Sequence, residues 1–303
     1  MEFKLHGNGM DKYGRTASRG HVHGYHNKPL PLDISKGAKH KDIANLKNAH
    51  KRNFIQCGGD YASKFTIGFE VEKNALHRGA VREYELFCGF ENDGSAGFTQ
   101  GVNGFEAVTH ILPLVTKGVI RNAVFDMMFK ANRIIEDQYS PSNARCGGHT
   151  NIGVVGMTGE ELRVALRPYT GIVLALFRKR LKNEFCKHNL NMKGSAEGGY
   201  FNGWADKYQM CLVKDNIVEF RVVSRFESVK QMMRRYELFY ELVDFAINVK
   251  GSYATFLKRT TPIVLSMYNG DTAKADEVLG LAKHFQKFIN TGAVHQEIEQ
   301  YVR

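Results

Sequence analysis

Lys64-Phe65-Thr66-Ile67-Gly68-Phe69-Glu70-Val71-Glu72 alternates in polarity along its length. Such a stretch reads as a β-strand, because successive side chains point to opposite faces. Glu70 and Glu72, two apart, therefore share a face. Residues 84–90 form a second strand, ending at the turn signal Asn92-Asp93-Gly94-Ser95, and residues 104–110 a third. Pro113 stands where a first helical residue would. Leu114, Val119, Ile120, Val124, Met127, Met128, Ala131, Ile134 and Ile135 then recur at spacings of three and four, so a helix is expected to about Gln138. Residues 146–155 make a glycine-rich strand. Thr158 and Glu161 have capping-box spacing and launch a helix toward Phe185. Residues 187–206 read as an irregular loop. Residues 208–213 and 217–223 make a strand pair about Lys214-Asp215-Asn216. Ser228 and Gln231 repeat the capping-box spacing before a long amphipathic helix that ends near Val249. The tail reads as two short helices around Asn290-Thr291-Gly292. Strands that alternate instead of running wholly apolar favour an α+β fold, an antiparallel sheet with helices packed on one face.

The polar residues on these strands carry the chemistry. His149 and Asn151 share a face, as do Glu219 and Arg221, and Glu106 lies on the strand 104–110. If these faces converge, four carboxylates meet one histidine and one arginine. Each buried ion costs several kcal/mol unless it is compensated. Divalent cations are the usual compensation, and oxygen-rich sites suit Mg²⁺ or Mn²⁺. An arginine there suits a phosphate, whose oxygens match its planar fork. Each piece has a plainer reading when taken alone. A Glu-x-Glu pair on an alternating strand more often faces solvent, Glu219 and Arg221 would make an ordinary surface ion pair, and His149 a satisfied core histidine. Other common sites are absent: there is no P-loop, no dinucleotide-binding glycine fingerprint and no Gly-x-Ser-x-Gly elbow.

The chain has 303 residues and a net charge of +11. At 43% hydrophobic and 24% charged residues it is ordinary for a globular protein. No stretch approaches the roughly 20 apolar residues of a membrane span, and the N-terminus lacks the apolar core of a secretory signal. Cys57, Cys88, Cys146, Cys186 and Cys211 are odd in number and widely spread, which excludes a disulfide scaffold and makes a reducing cytoplasm the expected setting. Residues 1–53 hold 11 Lys/Arg against 4 Asp/Glu and half of the 12 histidines. They read as a basic arm, either a solvated extension or a specific binding arm for a polyanion. The His21, His23 and His26 cluster has no carboxylate or cysteine framework to make it a metal site. The remaining 250 residues are nearly balanced in charge.

In order, the motifs resemble those of the amidoligases, ATP-dependent enzymes of the carboxylate–amine ligase fold shared with glutamine synthetase and glutamate–cysteine ligase. Gly68-Phe69-Glu70-Val71-Glu72 resembles the family's Gly-x-Glu-x-Glu strand. Asp93-Gly94-Ser95, then Gly104-Phe105-Glu106 and Pro113, resemble its Asp-Gly-Ser turn, its Gly-x-Glu strand and the proline that follows. Cys146-Gly147-Gly148-His149-Thr150-Asn151 resembles its His strand, with Asn151 where a second histidine is frequent. Asn183-Glu184-Phe185-Cys186 resembles its aromatic–Cys step. Lys207-Tyr208 stands for its Arg-Tyr element, and Val218-Glu219-Phe220-Arg221 for its Glu-Phe-Arg element. The resemblance covers about residues 64–250.

This resemblance implies a glutamine-synthetase-like catalytic fold over residues 54–255, between the arm 1–53 and a C-terminal helical extension, 256–303. It implies ATP bound over the sheet with Mg²⁺ or Mn²⁺ held by Glu70, Glu72, Glu106, His149 and Glu219. Arg221 would stabilise the γ-phosphoryl group, with Lys207, Arg178 and Arg180 toward the nucleotide and Asp93 and Ser95 placing the substrate or amine. Phosphorylation of a carboxylate gives an acyl phosphate, which an amine displaces to form an amide or peptide bond. The carboxylate and amine substrates are left open, whether on a peptide, a cell-wall unit or a modified nucleic acid. The alternative is a non-catalytic nucleic-acid-binding or structural protein that keeps the fold.

Overall fold

The computed structural model describes residues 55–56, 62–74, 86–93, 96, 104–109, 112–154, 156–182, 211–214 and 217–291. The arm 1–53 and the loop 187–206 lie outside them. The strands are β1 (Ile55–Gln56), β2 (Ala62–Ser63), β3 (Phe65–Lys73), β4 (Phe87–Asn92), β5 (Phe105–Thr109), β6 (Leu112–Pro113), β7 (Thr150–Val154), β8 (Cys211–Lys214) and β9 (Ile217–Phe220). The helices are α1 (Val119–Lys130), α2 (Asn132–Ile135), α3 (Gly159–Leu166), α4 (Gly171–Phe177), α5 (Val229–Asp244), α6 (Tyr253–Met267) and α7 (Thr272–Thr291). The chain divides into two compact units, Met1–Met157 with Ser224–Met233, and Thr158–Val223 with Arg234–Arg303.

In the first unit β3 is the central strand. It pairs with β5 and β6 on one side and β7 on the other, and β4 pairs with β5. All these pairs are antiparallel, which agrees with the mixed helix and antiparallel-sheet class read from the sequence. The side of β3 that carries Phe65, Ile67, Phe69 and Val71 is apolar and buried. Each such residue contributes about 1.5–3 kcal/mol by leaving water. Phe69 meets Phe226 edge to face at 5.5 Å. Lys73 is on this apolar side and fully buried. Its ammonium donates to Ile135 O at 2.7 Å, Asp137 Oδ1 at 2.7 Å and Phe226 O at 2.8 Å. Burial pulls the Lys73 pKa down, and the Asp137 carboxylate opposes that shift.

The ladder slips once. Residues 66–67 pair with 113–112, whereas residues 70–73 pair with 108–105. Gly68 and Phe69 lie between these two stretches of pairing. The Phe69 amide there donates to the Thr109 hydroxyl at 2.8 Å. Just before this point in space and after it in sequence, Pro113 departs from its expected place. It ends the two-residue strand β6, where a missing N–H costs little, and the helix starts only at Val119. That helix also stops sooner than expected. Ala131 interrupts it, and α2 is a separate turn ending at Ile135.

In the second unit the Thr158–Glu161 capping box is formed in both directions. The expected helix toward Phe185 is broken into pieces, because Pro168 has no N–H to continue the α-helical ladder. A 3₁₀ turn, Arg167–Tyr169, follows α3, and another, Arg178–Lys182, follows α4. The Gly171 amide donates to Gln286 Oε1 at 2.9 Å. A Cβ on Gly171 would lie 2.6 Å from Ala282 O, so only glycine lets α4 approach α7 this closely. Tyr169, Phe245 and Phe256 pack as an aromatic triple, with ring centroids 5.1 to 5.4 Å apart. The long amphipathic helix runs as expected through α5 and one π-helical turn to Val249. The expected break at Asn290-Thr291-Gly292 falls at the edge of the described residues, and Gly292 lies outside them. Gln286 Nε2 donates to Asn290 Oδ1 one turn on, and α7 continues to Thr291. β8 and β9 form the expected hairpin. Among the described residues, no helix is long and apolar enough to cross a membrane.

Candidate functional site

Residues that face each other across an antiparallel ladder put their side chains on the same side of the sheet. The β3 register sets Glu72 opposite Glu106 and Gly68 opposite Asn151. Two backbone bonds carry the β7 ladder past its first residue. The Glu70 amide donates to His149 O at 3.0 Å, and the Glu72 amide to Gly147 O at 3.4 Å. Glu70 thus faces His149, and Glu72 faces Gly147. One side of the sheet collects Gly68, Glu70, Glu72, Glu106, Gly147, His149 and Asn151. The solvent-facing alternative for Glu-x-Glu does not hold, since Glu70, Glu72, His149 and Asn151 are each at most 5% exposed.

These side chains bond to one another. His149 Nδ1 donates to Glu70 Oε2 at 2.8 Å, and Asn151 Nδ2 donates to Glu70 Oε1 at 3.1 Å. The Gly147 amide donates to Glu72 Oε2 at 2.5 Å. An ionised carboxylate only accepts, so Nδ1 carries a proton, and His149 Nε2 is turned toward Glu72 Oε1, 3.3 Å away. A carboxylate behind an imidazole in this way is the arrangement that orients metal-binding histidines. Glu72, Asp93 and Glu106 offer carboxylate oxygens that all lie within 4.8 Å of one another. Asp93 is held by its backbone, donating to Gly104 O at 2.9 Å and accepting from the Ala96 amide at 3.3 Å. A Cβ on Gly104 would fall 2.5 Å from Ala96 Cβ and 2.8 Å from Asp93 O, so glycine is required for that turn to close on β5.

The cluster offers carboxylate oxygens and one imidazole nitrogen, and the buried Asn151 amide oxygen has no hydrogen-bond partner among the described residues. Hard divalent cations take such oxygen-rich sets, so the residues fit Mg²⁺ or Mn²⁺. Cys146 lies below this group, its thiol donating to Ala96 O at 3.5 Å. Burial pushes its pKa up to about 11, and the Glu72 charge adds to that rise. The thiol is therefore protonated near neutrality and is no nucleophile there.

The remaining expected site residues are placed as follows. Glu219 and Arg221 belong to the second unit, where Glu219 is buried on β9 and accepts from Arg221 Nη1 at 2.5 Å. Their spacing of two residues does put them on one face, and the pair is not an exposed one. Arg178 donates to Glu277 Oε1 at 2.7 Å within the second unit, and Arg180 is buried. Ser95 and Lys207 lie outside the described residues.

Two contributors escaped the sequence reading. The Gly147 amide holds Glu72, and the glycine pair before His149 was its signal, since backbone N–H groups approach a side chain best where no Cβ intervenes. Lys73 was the other. Its position in phase with Phe65, Ile67, Phe69 and Val71 marked it as a charge on the apolar face. In comparisons with known proteins, no family model and no curated protein matches this chain.

Proposed function

We propose that the protein is an ATP-dependent carboxylate–amine ligase of the glutamine-synthetase-like fold, forming an amide or peptide bond through an acyl phosphate. The reading rests on one observation, the buried face on which Glu70, Glu72 and His149 are bonded together beside Glu106 and Asp93. Glu70, Glu72, Glu106 and His149 hold Mg²⁺ or Mn²⁺. The bound cation would offset the charge of the ATP phosphates, which is most of what phosphoryl transfer asks of a protein. The chain's own contribution is placement. The Gly147 amide fixes Glu72, His149 and Asn151 fix Glu70, and backbone bonds to Gly104 and Ala96 fix Asp93. Glu219 and Arg221 keep the roles that the resemblance assigns, the first as a metal ligand and the second toward the transferred phosphoryl group. Lys207, Arg178 and Arg180 contribute to the nucleotide, and Asp93 and Ser95 to the substrate or amine.

The test is ADP release by the full chain with Mg²⁺, ATP and a panel of acids and amines. Turnover is expected in the wild type and loss of at least a hundredfold in Glu70→Gln and in Glu219→Gln, with circular dichroism unchanged. Retention of near-wild-type turnover in both variants, or the absence of ATP binding in the wild type, overturns the reading. A stable phosphorylated product with no new amide would indicate a phosphotransferase at the same centre instead.

A further inference from the structure

Two features of the acidic face are not explained by packing or by backbone geometry. The first is the Asn151 amide. Its nitrogen is committed to Glu70 Oε1 at 3.1 Å, while its oxygen is buried with no hydrogen-bond partner among the described residues. The orientation is chemically fixed, because the opposite one would set the amide oxygen against a carboxylate oxygen. A buried amide oxygen left without a partner costs about 1–3 kcal/mol. The nitrogen and oxygen share one carbon, so this lone acceptor lies beside the Glu70 carboxylate.

The second is Gly68, which faces Asn151 across the β3–β7 ladder. Glycine in a strand interior gives up side-chain packing and costs conformational entropy. Here neither close approach nor a left-handed backbone demands it. A Cβ at Gly68 would meet, among the described residues, only Asn151 Cβ at 3.8 Å and Thr109 Oγ1 at 3.9 Å, both ordinary contacts. The glycine leaves free the volume of a larger side chain on the acidic face, across the ladder from Asn151.

We propose that the Asn151 side-chain oxygen is a ligand of the bound cation, received in the space over Gly68, and that it tunes the site to hard, oxygen-preferring divalent ions. The proposal rests on the metal reading above and adds a selectivity determinant to it. A neutral amide oxygen suits Mg²⁺ and Mn²⁺, whereas an imidazole at the same place favours Zn²⁺ and other borderline ions. The asparagine completes the coordination without adding a negative charge to a face that already holds two buried glutamates.

The experiment is metal binding by the intact, purified protein, read as free Mn²⁺ by electron paramagnetic resonance and by competition with Zn²⁺. Asn151→His is expected to shift the Zn²⁺ to Mn²⁺ affinity ratio at least tenfold toward Zn²⁺. Gly68→Val, which raises strand propensity and keeps the fold, is expected to weaken Mn²⁺ binding at least tenfold by filling the space. Asn151→Asp supplies an isosteric check, with a larger Mn²⁺-induced rise in melting temperature than the wild type. If Asn151 serves only to orient Glu70, its substitution weakens both metals alike, and an unchanged ratio in Asn151→His overturns the proposal. Wild-type Mn²⁺ affinity in Gly68→Val also overturns it. Both of those outcomes leave the metal centre standing, whereas a wild-type protein that binds no Mn²⁺ removes the centre and the proposal together.

Discussion

Lys73 and Glu72 are consecutive on β3, point to opposite sides of the sheet and are both buried. On the Lys73 side the ammonium has three donors, and they meet three oxygens, of which one belongs to the Asp137 carboxylate. Ser142 donates to the same Asp137 oxygen at 2.5 Å. That set is complete, joining the end of β3 to the end of α2 and to the 224–228 segment. On the Glu72 side two carboxylates share one imidazole, and the chain of bonds ends at an amide oxygen with no partner among the described residues. Both sides take charge out of water at a cost of several kcal/mol per ion. The closed set repays it internally and serves the fold. The set that ends in a lone acceptor is the one on which the proposed cation site rests.

The comparison is broken most directly at its closed side. Lys73→Met takes the ammonium from the Asp137 carboxylate and leaves two buried carbonyls without the donor they share, and is expected to destabilise the protein by about 3–5 kcal/mol in urea unfolding. A loss below about 1 kcal/mol would mean that Lys73 does not hold the fold. The open side should respond in the opposite sense. In Glu72→Gln the new amide can accept from the Gly147 N–H and donate to His149 Nε2, so metal-free stability should change by less than about 1 kcal/mol. Mn²⁺ affinity, followed by the same titration as above, should fall at least tenfold, or about 1.4 kcal/mol. Equal destabilisation by the two substitutions would erase the distinction between the faces.

Cys146 sharpens the comparison with a smaller effect, because it senses both charges. Glu72 raises its pKa and Lys73 lowers it, on top of the larger rise from burial. The unfolded thiol ionises near 9.0 and the native one near 11, so between these values the native state binds more protons. The corresponding stability is full below pH 9 and is lost as pH rises through 11. Relative to a Cys146→Ala variant, wild-type stability should therefore decline across this window. Glu72→Gln should lower the upper limit of the window, and Lys73→Met should raise it. A decline with the same limits in both variants would show that Cys146 feels neither charge.

Much of this was legible in the chain. The period-two pattern of residues 64–72 reports its own two faces, since strand geometry permits no other arrangement, and the capping box at Thr158 is a purely local device. Boundaries were less legible where a distant partner decided them. Pro113 carries a helix-start signal, yet its neighbour Leu114 donates to Phe65 O and the segment becomes an edge of the sheet. Local propensity is worth tenths of a kcal/mol per residue, and a tertiary hydrogen bond or buried side chain outweighs it.

The sequence by itself determined that Glu70 and Glu72 share one face, that His149 and Asn151 share another, and that these belong to strands of an antiparallel sheet. Tertiary structure decided that the two faces are the same one, because only the register of β3 against β5 and β7 sets Glu70 opposite His149 and Glu72 opposite Glu106. It also decided that this face is buried, which turns a pair of acids from ordinary solvated charges into groups whose charge must be compensated. Alternation is a property of one chain segment, whereas register and burial come from contacts between segments far apart in sequence.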